Sequence, residues 1–247
     1  KTLLELIQEK PSGRWSPQYW HPKYEKLIKE IGCRFEARPL GHFIDYITYG
    51  QVGKRVYSQT GKVRYIQTIN LADTGIDYDV KEAWIEEGSH NDLERSRLRY
   101  EDLLLGNAGM GGVGKCVLFM EKKLKVNISQ DIDLLRVKGI SPSYVTVFLK
   151  SGYGNTQIWR RTRGVGAPKL PFDEIREIKI PFLPDEIQDH IEAGYKKMSA
   201  YHDKAMEAKK NGDQRKYEKN IQIAEEMLKD LIARTEAVIR GERDDVI

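Results

Sequence analysis

Cysteine is nearly missing from this chain: among 247 residues only Cys33 and Cys116 carry a thiol. Two thiols cannot build a disulfide framework or a complete cysteine-based zinc site, and they suit a reducing cytoplasm. The histidines are equally sparse, and His21, His42, His90, His190 and His202 are scattered without metal-ligand spacing. No apolar run approaches the roughly 18 residues of a membrane span, and no signal-peptide pattern opens the chain. A G-x-S-x-G elbow and a Cys–His constellation are also lacking. Carboxylates are plentiful but fall mostly on expected helix surfaces. The residues alone make no case for an active site. The first residue is Lys1 rather than Met, which fits a trimmed product or a piece of a longer polypeptide equally well.

Acids are missing locally as well. None occurs between Asp45 and Asp73, where Gln51, Lys54, Arg55, Tyr57, Gln59, Lys62 and Arg64 stand. None occurs between Lys150 and Asp173, where Tyr153, Asn155, Gln157, Trp159, Arg160, Arg161, Arg163 and Lys169 stand. The formal charge of the chain is only +4, so the distribution carries more information than the total. Arg and Lys bind phosphate and can read guanine, and Asn and Gln can pair with adenine. Two acid-free segments that mix cations with amides and aromatics therefore read as loops facing a nucleic-acid duplex. Solvated basic loops are the plain alternative.

From Pro39 onward the chain breaks into short β-branched and aromatic runs separated by glycine. Strands are expected over 42–50, 63–71, 100–106, 115–120, 131–137 and 175–182. Helices are expected over 2–10, from Pro22, and over Pro142–Lys150, the last with Tyr144, Val147 and Phe148 inward. Trp15, Tyr19 and Trp20 form an aromatic cluster that suits an anchor onto a core.

The stretch Gly106–Val117 contains both G-x-G-x-x-G (Gly109, Gly111, Gly114) and G-x-x-x-x-G-K (Gly109 to Lys115). A phosphate-cradling loop must open a helix. Here Lys115 leads into CVLFM, which reads as a strand, and Cys116 occupies the place of the magnesium-binding hydroxyl. A tight glycine hairpin accounts for the same residues. Lys115, with Asn107, can still touch phosphate.

The C-terminal stretch is organised as two long helices. Ile187, Ile191, Gly194, Met198, Tyr201, Ala205 and Ala208 recur three and four apart, as do Ile221, Ala224, Leu228, Leu231, Thr235 and Val238. Stripes this narrow suit a two-stranded seam and invite a partner. A helical subdomain packed on its own core is the alternative. Asn211-Gly212 ends the first helix and Asp213 caps the second.

Taken in order, these stretches resemble the specificity subunit of type I restriction–modification systems. The resemblance runs through WSPQYWHPKYEKLIKEI, PLGHFIDYITYG, VRYIQTINLADTGI, LRYEDLLLGNAGMGGVGKCVLF and ISPSYVTVFLKS. It is most specific at the end, where Gly166, Leu170, Ile175, Ile180, Pro181, Pro184, Gln188 and Ile191 match. The resemblance covers nearly the whole chain but only one recognition domain, so a half-length form is implied. The implied architecture is α+β. A helical opening segment over 1–33 precedes a sheet-dominated target-recognition domain over 34–183, and a long antiparallel helical hairpin or coiled coil follows over 184–247. It implies double-stranded DNA, a methyltransferase subunit and a restriction/translocase subunit as partners. It also implies a cytoplasmic homodimer that restores two-fold symmetry, with no membrane partner.

In that reading Gln51, Lys54, Arg55, Tyr57, Lys62, Asn107, Lys115, Tyr153, Asn155, Gln157, Arg160, Arg161, Arg163 and Lys169 face the duplex. Ile187, Ile191, Met198, Ile221, Leu228, Leu231 and Val238 serve the dimer or partner seam. No cofactor belongs to this chain; S-adenosylmethionine belongs to the partner, which flips adenine. The methyltransferase tetrapeptides NPPY and DPPY are lacking here, in keeping with a non-catalytic subunit. Three other readings stay open: the recognition region of a single-chain restriction–modification enzyme, a glycine-loop nucleotide-binding enzyme, and a scaffold acting only through its hairpin.

Overall fold

The computed structural model describes residues 19–50, 61–164 and 166–247. The helix expected over 2–10, Trp15, and Gln51, Lys54, Arg55 and Tyr57 lie outside the described residues. The first elements are α1 (Pro22–Ile31), β1 (Ala37–Pro39), β2 (Ile44–Tyr49), β3 (Val63–Ile66), β4 (Trp84–Ile85) and α2 (Glu87–Asp92). Then come β5 (Asp102–Gly106), β6 (Cys116–Phe119), β7 (Val126–Ile128) and β8 (Ile132–Val137). Next are α3 (Pro142–Lys150), α4 (Gly152–Arg161), α5 (Phe172–Arg176), β9 (Lys179–Pro181), α6 (Asp185–Lys210) and α7 (Gln214–Arg240). The architecture is mixed α+β, with three small sheets followed by the α6–α7 hairpin.

Three consecutive leucines in β5 explain the layering. Successive strand residues point to opposite faces. Leu103 and Leu105 join one apolar cluster with Tyr144, Phe148, Tyr195 and Met198, while Leu104 joins another with Ile66, Val117, Phe119 and Ile128. The antiparallel sheet β2-β8-β5-β6 is thus covered by helices on one face and by the sheet β4-β3-β7 on the other. A strand buried on both faces reads as a continuous apolar run, which is what 103–105 show.

The short helices are built from local caps. Pro142 starts α3 and the Ser141 side chain accepts from Tyr144 N. Ser151 then caps α4, accepting from Gly154 N at 3.3 Å. Gly154 is required there, because a Cβ would stand 2.1 Å from the Phe148 carbonyl oxygen. The expected strand over 175–182 divides instead: Pro171 and two acids in the first turn favour α5, and only Lys179–Pro181 pairs, antiparallel to β1.

The hairpin forms as expected. Gly212 takes the left-handed φ of 72° that ends α6, and Asp213 caps α7 by accepting from Lys216 N at 3.0 Å. Its stripes, however, are covered by the chain's own core. Ile187, Ile191, Met198, Leu228, Leu231 and Val238 are all buried within the main cluster, and of the seam residues singled out only Ile221 is half-exposed. The reason is that α6 runs along the sheet domain rather than away from it. Tyr195 Oη accepts from Leu118 N at 3.2 Å, His202 Nδ1 meets Thr74 Oγ1 at 2.8 Å, and Lys209 pairs with Asp77 at 2.6 Å. Gly75 makes room for the His202 ring, which a Cβ would approach to 2.4 Å. Burying side chains of this kind contributes about 1.5–3 kcal/mol each. The same core takes in Ile31 and Val246, so it crosses the boundaries expected at 33 and 184.

Candidate nucleic-acid interface

The glycine stretch is a hairpin. Leu105 pairs with Cys116 across β5 and β6, and Lys115 enters a strand, not a helix. Gly109 and Gly114 carry φ values of 81° and 86°, which glycine alone adopts without strain. Gly106 N donates to Lys115 O at 2.8 Å and Gly114 N to Gly106 O at 3.0 Å, closing the turn. Since the loop leads into a strand, it lacks the dipole and convergent amides of a phosphate cradle. Burial pushes the Cys116 thiol up to about 12, which leaves it inert.

One turn away, α4 replaces what the sequence reads as a loop over 153–163. Its helical period divides the acid-free segment into two sets. Asn155 and Trp159, four residues apart, face outward and are exposed. Gln157, Arg160 and Arg161 face inward and are buried. Gln157 Nε2 donates to Lys179 O and its Oε1 accepts from Lys179 N, both at 2.8 Å. Arg160 Nε donates to Tyr19 O at 2.9 Å, and its guanidinium lies over the Tyr19 and Tyr24 rings. Arg161 pairs with Glu174 at 3.1 Å, and Arg163 with Asp173 and Glu174 at 2.7 and 3.0 Å. Tyr153 is buried in the main cluster. The expectation that 153, 157, 160 and 161 face a duplex is therefore corrected. The acids missing from the linear segment are supplied by α5, and these side chains hold α4 in place.

What remains outward is gathered in a cleft of about 700 Å³ between the glycine hairpin, α4 and α7. Lys115, Asn155 and Trp159 line it, joined by Lys150 from the end of α3 and Lys229 from α7. Asp73 and Glu225 also stand on its wall. Lys115 Nζ donates to Thr68 O at 3.3 Å. Burial pulls the Lys150 ammonium below its ordinary pKa, and Lys115 adds to that, while Asp73 opposes it. Met110, 69% exposed, stands at the hairpin tip, with Ile69 41% exposed in the turn whose Thr68 carbonyl Lys115 reaches. Lysines, an amide and exposed apolar groups around an open cleft can bind phosphate, meet a base edge and stack.

The other candidates are dispersed. Lys62 is exposed near Glu87. Asn107 is buried where β5 enters the glycine stretch, and Lys169 sits beside it on the backbone bridge to Ala108. The reading of the residues singled out neither Lys150 nor Lys229. A lone lysine ending an apolar helix, or one among the many charges of α7, gives no signal until the fold turns it toward a cleft.

No protein-family model matches the chain, and no curated protein matches it by sequence. Solved structures match it in fold. The type I restriction-modification S subunit from M. genitalium covers 72% of this chain and 41% of its own, at 12% identity and a TM-score of 0.49. The HsdS subunit from Thermoanaerobacter tengcongensis covers 97% and 56%, at 14% identity and a TM-score of 0.47. The type IIG restriction endonuclease BpuSI covers 90% and 34%, at 11% identity and a TM-score of 0.52. At these identities the likeness is one of fold. The chain spans about half the length of the solved S subunits it matches. No helix among the described residues is long and apolar enough to cross a membrane.

Proposed function

We propose that this chain is a half-length DNA-specificity subunit: it reads a short duplex half-site and directs a partner adenine methyltransferase, with a restriction/translocase subunit, to that site. The observation that carries the reading is the cleft where Lys115, Lys150 and Lys229 surround Asn155 and Trp159. Cations at a cleft rim bind phosphate whatever the sequence, and an exposed amide supplies base discrimination. S-adenosylmethionine and the chemistry belong to the partner. Because the narrow stripes are buried within the chain, partner and dimer contacts run through the remaining exposed faces of α6 and α7. Two copies related by a two-fold axis would read a bipartite palindrome.

A second reading has its own support. The superposition on BpuSI covers nearly all of this chain but about a third of that enzyme, as a recognition region within a longer polypeptide would. Selection from a randomised duplex library, with and without a methyltransferase subunit, separates the two. A spaced palindrome supports the half-subunit, and an asymmetric motif supports the region of a longer enzyme. No enriched motif under either condition refutes both.

A further inference from the structure

A second cleft, of about 410 Å³, opens at the opposite end of the glycine hairpin, where β2, β5 and β8 meet the 169–172 segment. Its floor holds Asn107 and Asp133, 3% and 1% exposed. Asn107 Nδ2 donates to Asp133 Oδ1 at 2.5 Å and to Gln130 O at 3.2 Å. Those bonds use one oxygen of the Asp133 carboxylate and the donor end of the Asn107 amide. Asn107 Oδ1 and Asp133 Oδ2 are left buried without a hydrogen-bond partner among the described residues. Both residues line one cleft, and when Asp133 is ionised both atoms are buried acceptors, which is costly unless a donor completes them.

The walls narrow the choice of donor. Tyr49, 37% exposed, and Phe172 have ring centroids 5.8 Å apart, and Leu170 also lines the cleft. The two rings are tilted 38° to each other, so the wall is apolar and the exposed Tyr49 ring offers one face on which a ring can stack. Lys169 stands on the same cleft and is exposed. Its charge opposes a second cation and suits a phosphate. A ligand with two adjacent N–H donors on a planar ring and a phosphate beside it meets all of these demands. Among the nucleobases, guanine presents that edge, with its ring N1–H and 2-amino group side by side.

We infer that the cleft floored by Asn107 and Asp133 binds a guanine nucleotide unit, base edge on the two oxygens, ring against Tyr49 and phosphate toward Lys169. The unit comes either from DNA, as an unpaired or extruded guanine, or from a free nucleotide. In the first case the inference rests on the DNA reading, and the site is a specificity pocket distinct from the Lys115 cleft. Burial holds Asp133 up to about 8, with Asn107 and Lys169 pulling the other way. The two donors of guanine favour the ionised carboxylate, so binding releases a proton and tightens as pH rises toward that value.

The test uses the full chain and calorimetric titration with GMP, IMP and AMP, beside a duplex carrying one unpaired guanine and the same duplex with an abasic site. GMP is expected to bind at least ten-fold more tightly than IMP, which lacks the 2-amino group, with AMP weaker still. Asp133→Asn is expected to lose ten-fold in GMP affinity while keeping its affinity for fully paired duplex at low salt. The GMP–IMP comparison needs no variant, so it stands even if Asp133→Asn fails to fold. Preference for the unpaired guanine in the duplex assigns the unit to DNA; preference for GMP alone assigns a free nucleotide. Equal binding of all three nucleotides, unmoved by Asp133→Asn, leaves only phosphate attraction at Lys169 and overturns the inference. So does no binding of either guanine probe while paired duplex still binds. Loss of paired-duplex binding with GMP binding intact sinks the DNA reading and spares the pocket.

Discussion

The Arg161 guanidinium meets the Glu174 carboxylate at 3.1 Å, with only 4% of each side chain exposed. An arginine so enclosed orders the fold; it does not wait for a phosphate. Removing one partner of a buried pair costs roughly 3–5 kcal/mol when the other charge is stranded; Glu174 keeps Arg163 at 3.0 Å, so the loss here falls toward or below about 3 kcal/mol. Arg161→Ala is therefore expected to lower stability by about that amount in urea unfolding. The double change Arg161→Met with Glu174→Leu should recover most of the loss. An Arg161→Ala protein of normal stability with weakened DNA binding would return this residue to the interface.

The glycines of the β5–β6 turn are not equivalent. A Cβ on Gly106 would stand 1.9 Å from Gly112 O, whereas one on Gly111 meets nothing within 4 Å. Gly106→Ala is expected to cost roughly 1–3 kcal/mol or more and to weaken duplex binding by displacing Lys115. Gly111→Ala should be nearly silent in thermal unfolding. A nucleotide-cradling loop would not sort them this way: equal effects of both, with loss of ATP binding, would revive that reading.

Much of this was legible beforehand, and the failures share one cause. The strand over 103–105, the glycine hairpin, α3 and the α6–α7 hairpin each follow from local signals: an apolar run, a turn residue, a capping serine, a three-four period. Residues 153–163 misled because a window free of acids looks electropositive until Asp173 and Glu174 fold back onto it. The helix there also carries two glycines, Gly152 and Gly154, which lower helix propensity, although Gly154 is there to let α4 approach the Phe148 carbonyl. The stripe at 187–198 correctly announced a covered face, but periodicity does not say whether the cover is another chain or the same one. Lys229 and Asp133 gain meaning only from neighbours more than twenty positions away.

Burial raises the Asp133 pKa from 3.8 to about 8, so the folded protein holds a proton that the unfolded chain releases. Stability therefore falls as pH climbs through that interval and levels off above it. Asp133→Asn removes the titration. The unfolding free energy of the wild type relative to this variant should decline between those two pH values, as measured by denaturant unfolding at a series of pH values. A flat difference would show that the carboxylate is solvated.

In the proposed function Lys115 and Lys229 neutralise phosphate and do not choose bases. Replacing either with alanine should weaken all duplexes alike. The slope of log affinity against log salt should shrink by about 0.9 for each phosphate left without its lysine. Fluorescence anisotropy over a salt series reads this directly. An unchanged slope with weakened affinity would mean these lysines act on the fold instead.

In the proposed function the exposed face of α4 reads a base through Asn155. Parallel selections from one randomised duplex library, with the wild type and with Asn155→Ala, test it most directly. A defined motif is expected for the wild type, with relaxation at one base position for the variant. The discrimination given up there should be roughly 1–3 kcal/mol, with the remaining positions intact. An identical motif and affinity from Asn155→Ala would contradict it.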